Sequence, residues 1–203
     1  MTDDSEGEIR RLLENWGLWR DTGDFERLRS AWHADGRMGT TWSNGSADEF
    51  VALARAAFEK GMDVVHTFGG CTVRVAGSRA VAQTRTMISQ RAAVHDVPCD
   101  IECYGRFYDF LERRDGRWAI VQRQPVYDRD RLLPVAGQSA PPLDAERLAR
   151  FPAGYRHLAY AQSLMGMNVR TDLPGRSGPE IAALYARGEK WLAGNDIFQE
   201  EKE

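Results

Sequence analysis

The sequence predicts an α+β fold, in which a bent antiparallel sheet wraps round N-terminal helices to form a cone-shaped barrel. Apolar residues recur at helical spacing up to about residue 61, then alternate with the two-residue period of strands up to residue 124. Helices that precede an antiparallel meander pack on one face of the sheet. Gly69-Gly70 falls inside a predicted strand and indicates the bend, because glycines within strands mark bends and bulges.

The first helix is predicted over about residues 7–20, with Ile9 and Trp16 on its apolar stripe. Gly23 ends it, and Asp24 can cap a second helix that carries Trp32.

A capping box of Ser46 and Glu49 begins a third helix, which ends near Gly61. The period of the sequence then changes to that of strands. The predicted strands cover residues 64–75, 79–91, 99–113 and 117–124, with turn residues between them.

Residues 136–203 follow the predicted domain, which we place at residues 1–135. Pro, Gly, Ser and Ala are enriched over 134–142, as in a linker. Short helices are predicted over 144–150 and 155–165, and a longer one starts at Pro179, a residue suited to the first helical turn. We expect this C-terminal helical extension to pack on the same domain or on a neighbouring subunit.

Composition excludes several classes of protein. The 203 residues carry a net charge of -3, which argues against a general nucleic-acid binder. No apolar run reaches the ~20 residues that cross a bilayer, and the acidic start is unlike a secretory signal. Three cysteines are too few for a disulfide scaffold, so we expect a soluble cytoplasmic protein.

Three residues are candidates for chemistry, and each has a structural alternative. His66 lies in the apolar stretch 63–68, where a histidine is either a hydrogen-bonded core residue or a general base. Asp21 lies off the apolar stripe of the first helix and, taken alone, is a solvated helix end or a cap. Arg123, in a neutral strand, is either an inward charge with a partner or a solvated edge residue.

A metal site and a nucleotide cofactor are not expected. His95, Cys99 and Cys103 are four residues apart on a predicted strand, about 13 Å per step, whereas metal ligands converge on one ion. The sequence has no phosphate-binding glycine loop, dinucleotide fingerprint or serine nucleophile motif. His33 and His157 have no carboxylate–histidine arrangement nearby in the sequence, so we expect them to be structural.

Tryptophans are concentrated near the N-terminus, on or beside the helices expected to line the cone. They are Trp16, Trp19, Trp32 and Trp42. Such residues mostly fill a core, but a pocket lined with them also suits a flat aromatic ligand.

Three segments together resemble the SnoaL-like branch of the NTF2-like superfamily, over roughly residues 5–135. They are Asp21-Thr-Gly-Asp-Phe-Glu-Arg-Leu28, Val65-His66 and Tyr104-Gly-Arg-Phe-Tyr-Asp-Phe-Leu-Glu-Arg-Arg-Asp-Gly-Arg-Trp118. The branch includes a polyketide cyclase, scytalone dehydratase, hexachlorocyclohexane dehydrochlorinase and ketosteroid-isomerase relatives.

The resemblance implies a catalytic dyad. The dehydrochlorinase's catalytic aspartate and histidine match Asp21 and His66, and its arginine matches Arg123. Phe107 matches a pocket phenylalanine. Trp16 stands where the dehydrochlorinase has a pocket lysine, which makes the expected pocket more aromatic and less cationic.

The implied function is a cofactor-independent lyase that acts on a small aromatic or alicyclic molecule, by loss of water or by retro-aldol loss of formaldehyde. His66 would take a proton, Asp21 would orient it, and Arg123 would stabilise negative charge. An isomerase or polyketide cyclase with the same dyad, and a non-catalytic binding protein, are the alternatives. Substrate contacts are expected from Trp16, Trp19, Trp42, Cys103, Phe107 and Tyr127.

A homo-oligomer, a trimer or a dimer, is expected by analogy with the family. The sequence contributes the face formed by Tyr104, Arg106 and Tyr108, which points away from the cone and carries residue types common at interfaces.

Overall fold

The computed structural model describes residues 4–198 and shows an α+β fold, as predicted. Its helices are α1 (Ser5–Thr22), α2 (Phe25–Ser30), α3 (Ala47–Glu59), α4 (Ala145–Ala149), α5 (Arg156–Leu164) and α6 (Pro179–Leu192). Its strands are β1 (Trp32–Gly39), β2 (Asn44–Ser46), β3 (Asp63–Ala76), β4 (Arg79–Val94), β5 (Val97–Arg114) and β6 (Arg117–Pro134).

The strands form one sheet in the order β2-β1-β6-β5-β4-β3. The long strands β3 to β6 pair with their chain neighbours as an antiparallel meander, whereas β1 runs parallel to β6. The sheet is therefore mixed, which corrects the expectation of a wholly antiparallel one.

The sheet is bent where its register shifts. One shift lies between Phe68 and Cys71 on β3, at the Gly69-Gly70 pair. Another lies in the β5–β6 pairing at Tyr104 and Gly105, where Asp128 of β6 is the extra residue. Such bulges add twist and curve a strand. At Gly105, a Cβ atom would lie 2.1 Å from the carbonyl oxygen of Val126, so a side chain cannot be accommodated there. The curvature leaves a concave face on one side of the sheet.

Helices α1 and α3 pack into that concave face. The main core unites Ile9, Leu13 and Trp16 of α1 with Phe107 and Leu111 of β5, all at most 2% exposed. Each large apolar side chain buried in this way contributes about 1.5–3 kcal/mol to folding.

Helix ends follow the caps expected from the sequence. Gly23 ends α1 with a left-handed φ of 78°, and Asp24 accepts a hydrogen bond from the backbone of Arg27 as the cap of α2. Ser46 and Glu49 form both bonds of the predicted capping box at α3. The sharp stop after Thr22 leaves the last turn of α1 beside β3.

Trp32 is not on α2, contrary to the prediction. The helix ends at Ser30, and Trp32 begins β1, where it pairs with Ile120 of β6. Backbone hydrogen bonds to the sheet make this segment a strand rather than a helix, since the amide of Ile120 donates to the carbonyl of Ala31 at 2.9 Å. Apolar and polar residues do not alternate cleanly along β1, so no periodic pattern indicated β1 or β2.

The extension packs back on both sides of the sheet. Leu158 and Tyr160 of α5 join a second core with Ile101 and Tyr127 of the sheet. On the convex side, Trp191 of α6 and its neighbours cover a third core.

Helix α6 covers much of the face that the sequence analysis assigned to subunit contact. Tyr108 is 3% exposed beneath α6, and Arg106 donates to the hydroxyl of Tyr185 at 3.0 Å. That argument for an oligomer interface is therefore wrong, because a helix of the same chain occupies the surface.

Among residues 4–198, none of the helices has the length and apolar character needed to cross a membrane.

Candidate active site

A cavity of about 340 Å³ lies between the concave face of the sheet, helices α1 and α3, and the extension. This volume is at the lower end of the range for small-molecule sites. Its walls are mostly apolar, and the aromatic side chains among them are Trp16, Trp42, Phe50, Phe107 and Tyr127. The space suits a small ring system.

Asp21 and His66 meet at the cavity wall. The carboxylate, in the last turn of α1, contacts Nδ1 of His66 on β3 at 2.8 Å through Oδ1. Its Oδ2 also accepts the backbone N–H of His66 at 2.6 Å. A carboxylate accepts from Nδ1–H, so Nδ1 carries the proton and Nε2 keeps a lone pair. The nitrogen left for a ligand is therefore Nε2.

The surroundings of His66 favour its neutral form. Its side chain is 7% exposed, and burial lowers the pKa of the imidazole below its usual value of 6.5. Asp21 opposes that shift, while the positive charges of Arg20 and Arg123 add to it. A neutral imidazole with a free Nε2 can accept a proton.

Arg20 is a site residue that the sequence analysis missed. Its side chain is 8% exposed, lines the cavity and lies 3.9 Å from Asp21. Burial lowers the pKa of the guanidinium, and Asp21 opposes this. The adjacent Asp21 could have pointed to Arg20, because a carboxylate in a site usually has a cation beside it.

Arg123 lies behind the cavity wall rather than on it. Both of its guanidinium bonds to Asp109 are buried, at 2.6 and 3.0 Å, and both side chains are fully buried. The guanidinium carbon lies 4.3 Å from the ring centre of Trp16 and 4.5 Å from that of Phe107. Of the alternatives considered, Arg123 is thus the inward charge with a partner.

The structure separates the other expected substrate contacts into two groups. Trp16, Trp42, Phe107 and Tyr127 line the cavity. Trp19 instead packs, partly buried, against the outside of the main core.

Cys103 also lies away from the cavity, contrary to expectation. It is 1% exposed in the second core, where its thiol contacts the carbonyl of Gly154 at 3.8 Å. Burial raises the pKa of this thiol. Cys103 and Phe107 share one face of β5, but four strand residues separate them by about 13 Å. Residues of α5, among them Leu158, pack in the second core with Cys103.

His157 does have a carboxylate partner, which corrects the sequence analysis. Its Nδ1 lies 2.8 Å from Oδ1 of Asp130, and Oδ2 accepts the backbone N–H groups of His157 and Leu158. Asp130 is distant in sequence, on β6, so the pair is visible only in the fold. His33 contacts the carbonyl of Glu112 at 2.9 Å, which agrees with a structural role.

The extension completes the cavity. Its lining residues are Leu158, Gln162, Met167 and Asn168. Leu158 and Gln162 are four residues apart on α5 and therefore share a helix face. Oε1 of Gln162 accepts from the hydroxyl of Thr41 at 2.6 Å, which ties the extension to the loop after β1. Sequence reasoning could not find these residues because the docking of α5 is a long-range contact.

Residues 3–124 match the family model described as a SnoaL-like domain. Pea pathogenicity protein 2 of Fusarium vanettenii is 31% identical over 201 residues, which cover 94% of this chain and 86% of that protein. That alignment includes most of the extension, which lies outside the family model.

Two solved structures from Novosphingobium show the same fold. A hexachlorocyclohexane dehydrochlorinase of type 3 from N. barchaimii has a TM-score of 0.56 and 17% identity, covering 69% of this chain and 96% of its own. A scytalone dehydratase-like protein from N. aromaticivorans has a TM-score of 0.55 and 16% identity, covering 69% of this chain and all of its own. At these identities the likeness concerns the fold alone.

Proposed function

Because the chain belongs to the SnoaL-like family, we propose that it is a cofactor-independent lyase acting on a small aromatic or alicyclic substrate. The observation that carries the proposal is the Asp21–His66 pair, which presents a neutral imidazole to a cavity with aromatic walls. A protein that merely carries a ligand has no need of an oriented base.

The first step is the removal of a proton by Nε2 of His66. Asp21 holds the ring through Nδ1 and stabilises the imidazolium that forms. The two-point contact, to Nδ1 and to the backbone N–H of the same residue, fixes the direction in which the imidazole points.

Two bond-breaking steps are compatible with this base. In an elimination, His66 takes a carbon-bound proton, the electron pair forms a double bond, and hydroxide leaves and is protonated to water. In a retro-aldol cleavage, His66 takes a hydroxyl proton, the carbon–carbon bond breaks, and formaldehyde leaves an enolate that is then protonated. Both steps develop negative charge on the substrate.

Positive charge near the cavity stabilises that negative charge. Arg20 supplies it from the wall itself. Arg123 supplies it from behind the rings of Trp16 and Phe107, where its bonds to Asp109 hold it in place. Charges that are fixed in a low-dielectric site before reaction act strongly on a developing anion.

An isomerase or cyclase is the second candidate, and one feature favours it. Tyr127 lines the cavity, and burial raises the pKa of its phenol well above the ordinary value, so it stays protonated. A protonated phenol in the same cavity as a base can return a proton to another atom of the same substrate. The mass of the product distinguishes the candidates, since a lyase product lacks water or formaldehyde and an isomer keeps its mass.

The proposal is tested by proton exchange on an enolisable ring ketone, β-tetralone, in deuterated water. The wild type should accelerate deuterium uptake next to the carbonyl, and His66→Ala should lose about 10²–10⁴-fold of that acceleration. Circular dichroism confirms that the variant is folded. Equal exchange by wild type and folded His66→Ala would remove His66 as the base and favour the binding-protein alternative.

A further inference from the structure

Two buried amides, Gln90 and Gln162, lie on the mostly apolar cavity wall. Gln90 lies on β4 and Gln162 on α5, and each is 4% exposed. The bond from Thr41 to Oε1 of Gln162 is the one hydrogen bond that either amide makes within residues 4–198. The amide group of Gln90 and the Nε2 of Gln162 are thus without a protein partner in the described chain.

These amide atoms are not among the fully buried unpaired atoms of the described chain, so they are accessible from the cavity, where water or a ligand can bond them. Both amides border the same cavity, so a ligand can provide the missing partner. Thr41 occupies the oxygen of Gln162, which leaves its N–H groups as donors. The ligand atom that fits is therefore an acceptor, a carbonyl or hydroxyl oxygen.

The sheet register sets the position of this oxygen relative to the base. His66 pairs with Ile88, and Gln90 pairs with Val64, two residues further along both strands. Two residues of a strand span about 7 Å, and their side chains point to the same face. Gln90 therefore lies about the width of a ring away from the imidazole, and Gln162 borders the same cavity from α5.

We propose that Gln90 and Gln162 form an amide subsite that binds an oxygen of a neutral ring substrate and selects it over a hydrocarbon of the same shape. This rests on the proposed function in one respect, that the His66 end of the cavity is the reacting end. The substrate class is then an oxygenated ring compound whose oxygen is held by the amides. The extension, through Gln162, takes part in choosing the substrate.

The test compares the binding of β-tetralone with that of tetralin, which has the same carbon skeleton without the oxygen. Quenching of tryptophan fluorescence reports binding, because Trp16 and Trp42 line the cavity. Wild type should prefer the ketone by about fivefold, the equivalent of one net hydrogen bond. Gln90→Leu and Gln162→Leu should each reduce that preference while leaving tetralin bound at least as well.

Two controls keep the outcomes distinct. Gln122→Leu makes the same change at an equally buried residue outside the cavity, which bonds Arg187, and should keep the preference. Folded His66→Ala should also keep it, so a failure of the base hypothesis leaves this result unaffected. Gln90→Leu removes no hydrogen bond within the described chain and should fold. Equal affinity of the wild type for both compounds, or a preference that survives both substitutions, would overturn the proposal.

Discussion

Among its described residues, the structure contains two aspartate–histidine pairs with almost identical hydrogen bonds, Asp21–His66 and Asp130–His157. They differ in where they lie relative to the cavity. In each pair the carboxylate lies 2.8 Å from Nδ1 and accepts the backbone N–H of the same histidine at 2.6 Å. His66 borders the cavity with 7% of its side chain exposed. The side chain of His157 is 25% exposed, lies in the first turn of α5 and is absent from the cavity wall. A carboxylate–histidine pair therefore indicates a base only where the histidine also borders a cavity that can hold a substrate.

The second pair has a structural task. Asp130 is 1% exposed and also accepts the backbone N–H of Leu158, so it holds the first turn of α5 against β6. Carboxylates are favourable at helix N-termini for this reason. Since α5 carries Leu158 and Gln162 to the cavity, this pair positions the wall, while the first pair would act on the ligand.

The largest expected difference between the pairs concerns turnover. His66→Ala should lose about 10²–10⁴-fold in kcat, and His157→Ala should stay close to wild type because it removes no group from the cavity. Deuterium uptake by β-tetralone measures both. A comparable loss in the two variants would mean that the comparison is wrong.

The next effect concerns the carboxylate of the first pair. Asp21→Asn should lower kcat/KM by about 10- to 100-fold, the equivalent of one hydrogen bond to a charged group. The double variant with His66→Ala should be little slower than His66→Ala alone, since the two residues act as a unit. Additive losses would instead show that Asp21 acts separately from His66.

Removal of the second carboxylate should change stability rather than rate. Asp130→Asn weakens the cap of α5 and should lower the free energy of unfolding by about 1–2 kcal/mol. Urea denaturation measures this, with Asp172→Asn as a control because that carboxylate is exposed. Unchanged stability would contradict the structural role assigned to the second pair.

The smallest effects are shifts in the acid limb of the pH profile of kcat/KM. Since burial lowers the pKa of His66 below 6.5, activity should be full above that pH and fall as the imidazole is protonated at lower pH. Asp21 raises this pKa and Arg20 lowers it. Asp21→Asn should therefore move the limb to lower pH and Arg20→Gln to higher pH. Shifts in the same direction would disprove the electrostatic account.

The local features of the fold could be predicted from the sequence. The cap at Asp24, the capping box at Ser46 and the four long strands depend on nearby residues and on a two-residue period. The parallel pairing of β1 with β6 depends on the arrangement of the whole sheet. Trp32 was assigned to a helix because its spacing fits one, and the sheet prevailed over that local preference.

The candidate site divides in the same way. Asp21 and His66 were found because a family resemblance pointed to them, and spacing alone left both with structural alternatives. The prediction for Cys103 was wrong because α5 packs over that part of β5, a long-range contact that no local sequence pattern indicates. Arg20, Gln90 and Gln162 were missed because their role depends on which side chains border the cavity.

The most direct test of the central claim is nitrogen-detected NMR of the histidine side chains, which needs no substrate. His66 should be neutral at neutral pH, carry its proton on Nδ1 and titrate below 6.5, because it is buried and bonded to Asp21. In Asp21→Asn, the fixed tautomer should be lost and the pKa should fall further. A charged His66 at neutral pH, or a proton on Nε2, would contradict its role as the base.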